Sequence, residues 1–428
     1  MSITTTVAMY RMILLYVFIS ITLCFAIPPD QDDFYNPPDN LTDSKPGNIL
    51  KIRSIPSPIK SILSIKLPIL ETWQILVRSQ DLNGLPNSII TTLIIPKFFK
   101  SNKIISHQSF ENSPLLKCSP SYAIQTPNFE TLQIQTDLIF ISGYLNQGYI
   151  VNLPDHEGPN SSFLIGKSSA YTILNSIRAI EIFMNFKNSK IALIGYSTGG
   201  FASIWASMLN KYYSPELNII GVVSGGTIGN ITSFIQRING GPYAGLIVNI
   251  FQSFCNEYND FKEMLINSGG GKIESHECLF PSAVKYFMMN IIGDIYNENI
   301  LYDSICKKYI SENNLIEQEL TPQVPVLLYH SRFNEMTPMK DVEKLKEYWC
   351  SKGVQLEIAE DLSYNHMVEA YTGIPAAITW IENHFNKSIK NSGCKHVTRI
   401  TNLNYPGISP VIKHYINITQ QVISHIIP

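Results

Sequence analysis

Ser197 stands in Gly195-Tyr196-Ser197-Thr198-Gly199, a G-x-S-x-G run. A serine hydroxyl is a weak nucleophile, useful only when a sharp turn lifts it clear and a base reaches it. Gly195 and Gly199 leave room where side chains would crowd the segments on either side. The chemistry this pattern predicts is acyl transfer through a serine ester. Where such a serine sits on an α/β sheet, the acid and then the histidine follow it along the chain. Of the nine histidines, His366 alone lies in a loop, Leu362-Ser363-Tyr364-Asn365-His366, between a strand-like and a helix-like segment late in the domain, and it is the expected base. The acid belongs at the end of the strand-like run Val324 to Tyr329. The chain continues there as His330-Ser331-Arg332-Phe333-Asn334-Glu335-Met336-Thr337-Pro338.

These residues need a scaffold. Lys190 to Ile194 reads as a buried strand and Phe201 to Asn210 as a helix, the setting a nucleophile turn requires. Trp73 to Ser79 and Ser88 to Ile95 are β-rich runs interrupted by Asn83-Gly84-Leu85-Pro86, a hairpin signal. Leu138 to Ile141 and Gly148 to Leu153 add strand-like material, and Ser168 to Asn185 carries helical spacing. Leu217 to Gly226 reads as strand, Met339 to Ser351 as helix, Val354 to Ile358 as strand and Pro375 to Phe385 as helix. Alternation of this kind predicts an α/β fold, a mostly parallel sheet with helices on both faces.

The alternation breaks between residues 227 and 320, which read as helical throughout and contain the Gly269-Gly270-Gly271 break. The expected organisation is an α/β-hydrolase core over 47–226, a helical cap or lid over 227–320, and the rest of the core with a C-terminal tail over 321–428. Within the cap, Ile247, Ile250, Phe251, Phe254, Phe287, Met288 and Met289 read either as helical core or as the lining of an acyl channel.

Arg11, the apolar run Met12 to Phe25 and Cys24-Phe25-Ala26 predict a signal peptide over 1–26, since the run falls short of the roughly 20 residues a membrane span needs. Residues 27–46, rich in proline and polar groups, predict a flexible leader. The mature chain is expected to be secreted, monomeric and without a transmembrane segment. Seven cysteines are present; beyond Cys24 they are Cys118, Cys255, Cys278, Cys306, Cys350 and Cys394, an even set that predicts disulfides in an oxidising compartment. Sequons at Asn40, Asn160, Asn230, Asn386 and Asn417 suit the same route.

A net charge of -2 with 15 % charged residues gives no electrostatic case for nucleic acid. His276 has no second histidine near it, and Gly269 to Gly271 lacks the lysine and hydroxyl of a phosphate loop. No metal or cofactor is expected.

Three further stretches, with the serine turn, carry a resemblance. Cys118-Ser119-Pro120-Ser121-Tyr122-Ala123, Gly148-Tyr149-Ile150-Val151-Asn152-Leu153-Pro154-Asp155-His156-Glu157-Gly158-Pro159, Asn175-Ser176-Ile177-Arg178-Ala179 and the serine turn occur in one order. Together they make the chain resemble the fungal secretory lipases, the Candida-type enzymes with an α/β-hydrolase core and a helical cap. The resemblance covers nearly the whole mature chain and implies hydrolysis of acylglycerol esters at a lipid-water interface. It also implies pairing of Cys118 with Cys278 and of Cys350 with Cys394, leaving Cys255 and Cys306 as a third pair within the cap.

The chain departs from the family twice. The family strand ends in a segment similar to Tyr-His-Gly-x-x-Asp-Glu-x-x-Pro. Alignment on His330, Glu335 and Pro338 puts Asn334 where the catalytic aspartate belongs, so Ser197, His366 and Asn334 form the expected catalytic set. An amide can select the wrong histidine tautomer and carries no charge to stabilise the imidazolium. Substitute acids are Glu335 and Glu369. In Phe110-Glu111-Asn112-Ser113, Asn112 replaces a second family aspartate beside the oxyanion hole, whose donors the resemblance assigns to the backbones of Asn112 and Thr198. The alternative to a weakened ester hydrolase is a catalytically silent lipase fold that binds lipid or another partner.

Overall fold

The computed structural model describes residues 26–59, 67–99, 102–268, 275–362, 365–386 and 393–409. The signal segment up to residue 25, the triple-glycine break and Asn417 lie outside them. The strands are β1 (Ile49–Ser54), β2 (Ile69–Gln80), β3 (Pro86–Pro96), β4 (Lys103–Gln108), β5 (Ile150–Pro154), β6 (Lys190–Tyr196), β7 (Ile219–Gly225), β8 (Val326–Ser331), β9 (Leu356–Asp361) and β10 (Cys394–Arg399). They form one sheet in the order β1-β2-β3-β5-β4-β6-β7-β8-β9-β10. Pairing is antiparallel from β1 to β5 and parallel from β5 through β4 to β10.

The central strands β5, β7 and β8 are almost wholly buried, and β6 is so after Lys190. That is why they read as unbroken apolar runs instead of alternating ones. Helices α1 (Leu132–Asn146), α2 (Gly166–Phe183) and α3 (Thr198–Tyr213) belong to the first part of the core. Close approach of α2 and α3 depends on Gly166, where an added Cβ would lie 2.1 Å from the buried Trp205 ring. Between β7 and β8 the chain forms α4 (Ile231–Ile238), α5 (Gly245–Glu257), α6 (Asn259–Asn267), α7 (Leu279–Lys285) and α8 (Ser304–Asn313). Helices α9 (Met339–Ser351), α10 (His366–Thr372) and α11 (Ile374–Asn386) complete the core.

Three expectations change. Leu138 to Ile141 is part of helix α1, not a strand. That helix is buried on nearly every side, so its sequence lacks the polar stripe that marks a helix, and its β-branched run imitates a strand. Residues 27–46 are tied to the core: Asp32 pairs with Arg53 at 2.6 Å, and Tyr35 Oη lies 2.7 Å from Ser121 Oγ. Cys255 and Cys306 do not pair. They sit on α5 and α8, one half-buried and one buried, where a thiol behaves as a small apolar side chain. Burial raises the Cys255 thiol to about 11 and the Cys306 thiol to about 12.

Cys118 does bond to Cys278, and Cys350 to Cys394. Of the described sequon asparagines, Asn40, Asn160 and Asn386 are exposed. Asn230 is half-buried and its Oδ1 accepts from Ser233 N–H at the start of α4. No helix among the described residues is long and apolar enough to cross a membrane.

Candidate active site

Ser197 follows β6 directly and caps α3 with φ 52 and ψ −115. A side chain other than glycine rarely adopts this backbone, and it persists only where the surroundings impose it. Here they do. Ser197 N–H donates to Gly225 O at 2.8 Å. A Cβ at Gly195 would fall 2.2 Å from the Gly199 carbonyl carbon, and one at Gly199 would fall 1.9 Å from Gln108 O.

His366 opens α10. Asn365 Oδ1 accepts from Val368 N–H at 2.9 Å and fixes where the helix starts. Tyr196 Oη donates to the His366 carbonyl at 2.5 Å, and the two rings lie 4.9 Å apart. The imidazole therefore stands beside the serine with Nε2 3.0 Å from Ser197 Oγ. Burial, with the neighbouring His330 adding to it, lowers the His366 pKa to about 3, so the ring is neutral at physiological pH.

Asn334 occupies the far side of the ring, with Nδ2 2.9 Å and Oδ1 3.1 Å from His366 Nδ1. Its amide is held in one orientation. Oδ1 accepts from Met336 N–H at 3.1 Å and Thr337 N–H at 2.9 Å, while Nδ2 donates to Glu369 Oε2 at 3.1 Å. Neither candidate substitute acid reaches the ring. Glu335 Oε2 accepts the backbone N–H of His366 at 2.9 Å. Glu369 is fully buried one turn along α10 and is held by Asn334 and by Tyr196 Oη at 3.2 Å. Burial and the nearby Asp361 push its carboxyl well above the usual range.

The loop between β4 and α1 brings Asn112 to the same place, but not as expected. Its backbone N–H donates to Glu157 Oε1 at 3.0 Å instead of facing the serine. The Thr198 hydroxyl donates to Asn112 Oδ1. Glu157 belongs to a buried acidic group with Glu111 and Asp155. Desolvation raises all three, Asp155 to about 7 and Glu157 to about 8. No local pattern signals this group, because burial of a carboxyl leaves no mark on hydropathy.

Ser197, His366 and Asn112 line a narrow cavity with Phe110, Tyr243, Leu246, Leu279 and Met336. Its free space of about 20 Å³ holds roughly one water. Tyr243, Leu246 and Leu279 come from the helical insert, which thus covers the serine. Of the insert's apolar residues that read either as helical core or as channel lining, none lines this cavity. Ile247, Ile250, Phe251 and Phe254 are buried core, and Phe287, Met288 and Met289 are exposed.

A serine on a strained strand-to-helix turn of a mostly parallel sheet, with a histidine at the start of the helix after a later strand, defines an α/β-hydrolase. The same architecture is seen in the X-ray structure of Candida antarctica lipase A in its closed state, with a TM-score of 0.81 and 24% identity, over 93% of this chain and 96% of that one. A rice cell wall degrading esterase from Xanthomonas oryzae matches more loosely, with a TM-score of 0.62 and 13% identity, over 81% of this chain and 100% of that one. The chain belongs to the secretory lipase family, whose model matches residues 124–393. It is 51% identical to Lipase 7 of Candida albicans over 411 residues, 95% of this chain and 96% of that one. It is 39% identical to Lipase 10 of the same organism, over 91% of this chain and 88% of that one.

Proposed function

We propose that this protein is a secreted, monomeric serine ester hydrolase acting on acylglycerol-type lipid esters, with a rate lowered by Asn334. The 3.0 Å approach of Ser197 Oγ to the neutral His366 Nε2 carries this reading. Ser197 attacks the ester carbonyl carbon and gives its proton to Nε2 as the Oγ–C bond forms. The resulting imidazolium protonates the departing alcohol as the acyl C–O bond breaks, and water then releases the acid from the serine. The backbone N–H of Thr198, at the start of α3 and without a hydrogen-bond partner among the described residues, is the oxyanion donor this reading assigns.

Asn334 acts against this sequence. Its Oδ1 already accepts two backbone N–H groups, and the second hydrogen of Nδ2 has the ring nitrogen as its neighbour. Donation from Nδ2 makes Nδ1 the acceptor and puts the ring proton on Nε2, where it blocks transfer from the serine. The same exchange in a serine protease triad lowers kcat by about 10⁴ with geometry intact.

Substrate class follows from the relatives and from the surface. Val284, Phe287, Met288 and Met289 form an exposed apolar ridge at the end of α7 and just beyond it, the helix that sends Leu279 over the serine. Its turn is fixed by Met288 N–H to Gly241 O at 3.1 Å and Gly240 N–H to Met289 O at 3.0 Å. A ridge of this kind is suited to a lipid-water interface.

Labelling by a fluorophosphonate, together with hydrolysis of p-nitrophenyl esters, tests the proposal. Label on Ser197 and turnover abolished by Ser197→Ala are expected. The competing reading, a silent lipid-binding member, rests on the Asn334 amide; it prevails if neither the natural chain nor Asn334→Asp is labelled or turns over ester.

A further inference from the structure

We infer that the side-chain amide of Asn112, not its backbone, is the second oxyanion donor. This rests on the hydrolase reading above. A tetrahedral intermediate forms when the carbonyl π pair moves onto oxygen, and a serine hydrolase generally meets that charge with two donors. The helix start at Thr198 supplies one. Every polar atom of Asn112 can be followed to find the other.

The backbone N–H of Asn112 donates to Glu157 Oε1 at 3.0 Å. The next donor along, Ser113 N–H, turns to the other oxygen of the same carboxyl at 3.4 Å. Asn112 O accepts from Asn249 Nδ2 at 2.8 Å. The side-chain Oδ1 accepts the Thr198 hydroxyl. Only Nδ2 remains, and among the described residues it has no hydrogen-bond partner. Asn112 is 5% exposed and lines the cavity that holds Ser197 and His366.

The anchoring of Oδ1 keeps the amide beside the serine turn. Because the Thr198 hydroxyl holds the amide oxygen, the amide is fastened to the first residue of α3, the one that follows Ser197. Backbone and side-chain donors thus come from two touching residues. Asn112 also has φ 55, the left-handed region in which asparagine, aspartate and glycine are favoured.

That conformation selects the variants. Asn112→Gly removes the amide without straining the backbone, whereas alanine would add strain of its own. Asn112→Asp keeps the shape and the acceptor for Thr198 but replaces the N–H donor with a titrating oxygen. Both are to be made in the natural chain and with Asn334→Asp, and kcat, KM and pH profile measured on a soluble p-nitrophenyl ester.

Asn112→Gly should lower kcat by about 10² to 10³ with KM nearly unchanged. Asn112→Asp should work as the neutral acid and fail as it ionises, acquiring an alkaline limb on kcat of about tenfold per pH unit that the asparagine chain lacks. A merely structural residue would not produce that limb. If the parent is labelled and active while Asn112→Gly keeps kcat within about threefold, or Asn112→Asp shows no new limb, the donor assignment is overturned alone. If no parent labels or turns over ester, the hydrolase reading falls and the assignment falls with it.

Discussion

Replacing Asn334 by aspartate is the sharpest perturbation the site offers, because the surroundings of the side chain already suit an anion. One oxygen of the introduced carboxylate would take the N–H groups of Met336 and Thr337, now donated to Oδ1 at 3.1 and 2.9 Å. The other would take the place of Nδ2, 2.9 Å from His366 Nδ1 and 3.1 Å from Glu369 Oε2. Burial and Asp361 push Glu369 toward its protonated form, the form that donates to the new carboxylate instead of repelling it. At the 2.9 Å separation and an effective dielectric of about 20, an aspartate-imidazolium pair is worth about 6 kcal/mol before desolvation. The loss of about 10⁴ in a protease triad corresponds to about 5 kcal/mol. The two figures agree, and Asn334→Asp should raise kcat on p-nitrophenyl esters by about 10³ to 10⁴.

A second readout comes from pH. The natural ring titrates at about 3, so its kcat/KM should show no acid limb from His366 above about pH 5. An aspartate raises the imidazole, and the limb should move up toward neutrality. Adding Glu369→Gln should keep most of the gain, since glutamine still offers a donor. A natural chain that already matches Asn334→Asp in rate and in pH profile would refute the account of the amide.

Further outcomes follow from other parts of the molecule. Glu111, Asp155 and Glu157 bind protons in the native state that the unfolded chain releases from about pH 4.5. Stability should therefore fall as pH rises from about 4.5 to 8. Glu157→Gln keeps an acceptor for Asn112 N–H and should shrink the fall in thermal midpoint between about pH 5 and 8.5; an unchanged fall would count against the cluster. His366, lowered instead of raised, contributes in the opposite sense, its stability present above about pH 6.5 and lost toward about 3, and comparison with the parent cancels it. Phe287→Ser with Met288→Ser should weaken binding to triacylglycerol emulsions by about tenfold or more with soluble-ester turnover unchanged, as measured by flotation. Two thiols, Cys255 and Cys306, should titrate on denaturation without reductant and stay silent in the native protein; none on denaturation would mean a third disulfide.

What the sequence displayed and what it hid divide on physical lines. The serine turn was legible because glycine at 195 and 199 is a steric requirement written directly in residue type. His366 was legible from its loop, and α9 was found to the residue because its polar stripe is intact. Strand β4 escaped because Ser106, His107 and Gln108 are polar yet buried, satisfied in part by one another and by Ser203. The edge strands β1 and β10 escaped because half-exposed, lysine- and arginine-bearing runs do not read as core. Asn334 was found only through resemblance, since an asparagine in a loop announces nothing. The diversion of Asn112 N–H to Glu157 depends on a contact across 45 residues, which no local pattern encodes.

The Cys118–Cys278 bond stands one residue before α7, and so one residue before Leu279, which roofs the serine. A cavity with room for about one water is too small for an acyl chain while Leu279 stands over it. The sulfur bridge pins the near end of the roof to the same loop that carries Asn112. Leu279 is thereby tied covalently to that loop, whereas Phe287, two residues past the end of α7, lies nine residues from the bridge. One covalent bond thus ties the wall that carries Asn112 to the cover over Ser197, so reduction of it should loosen both together.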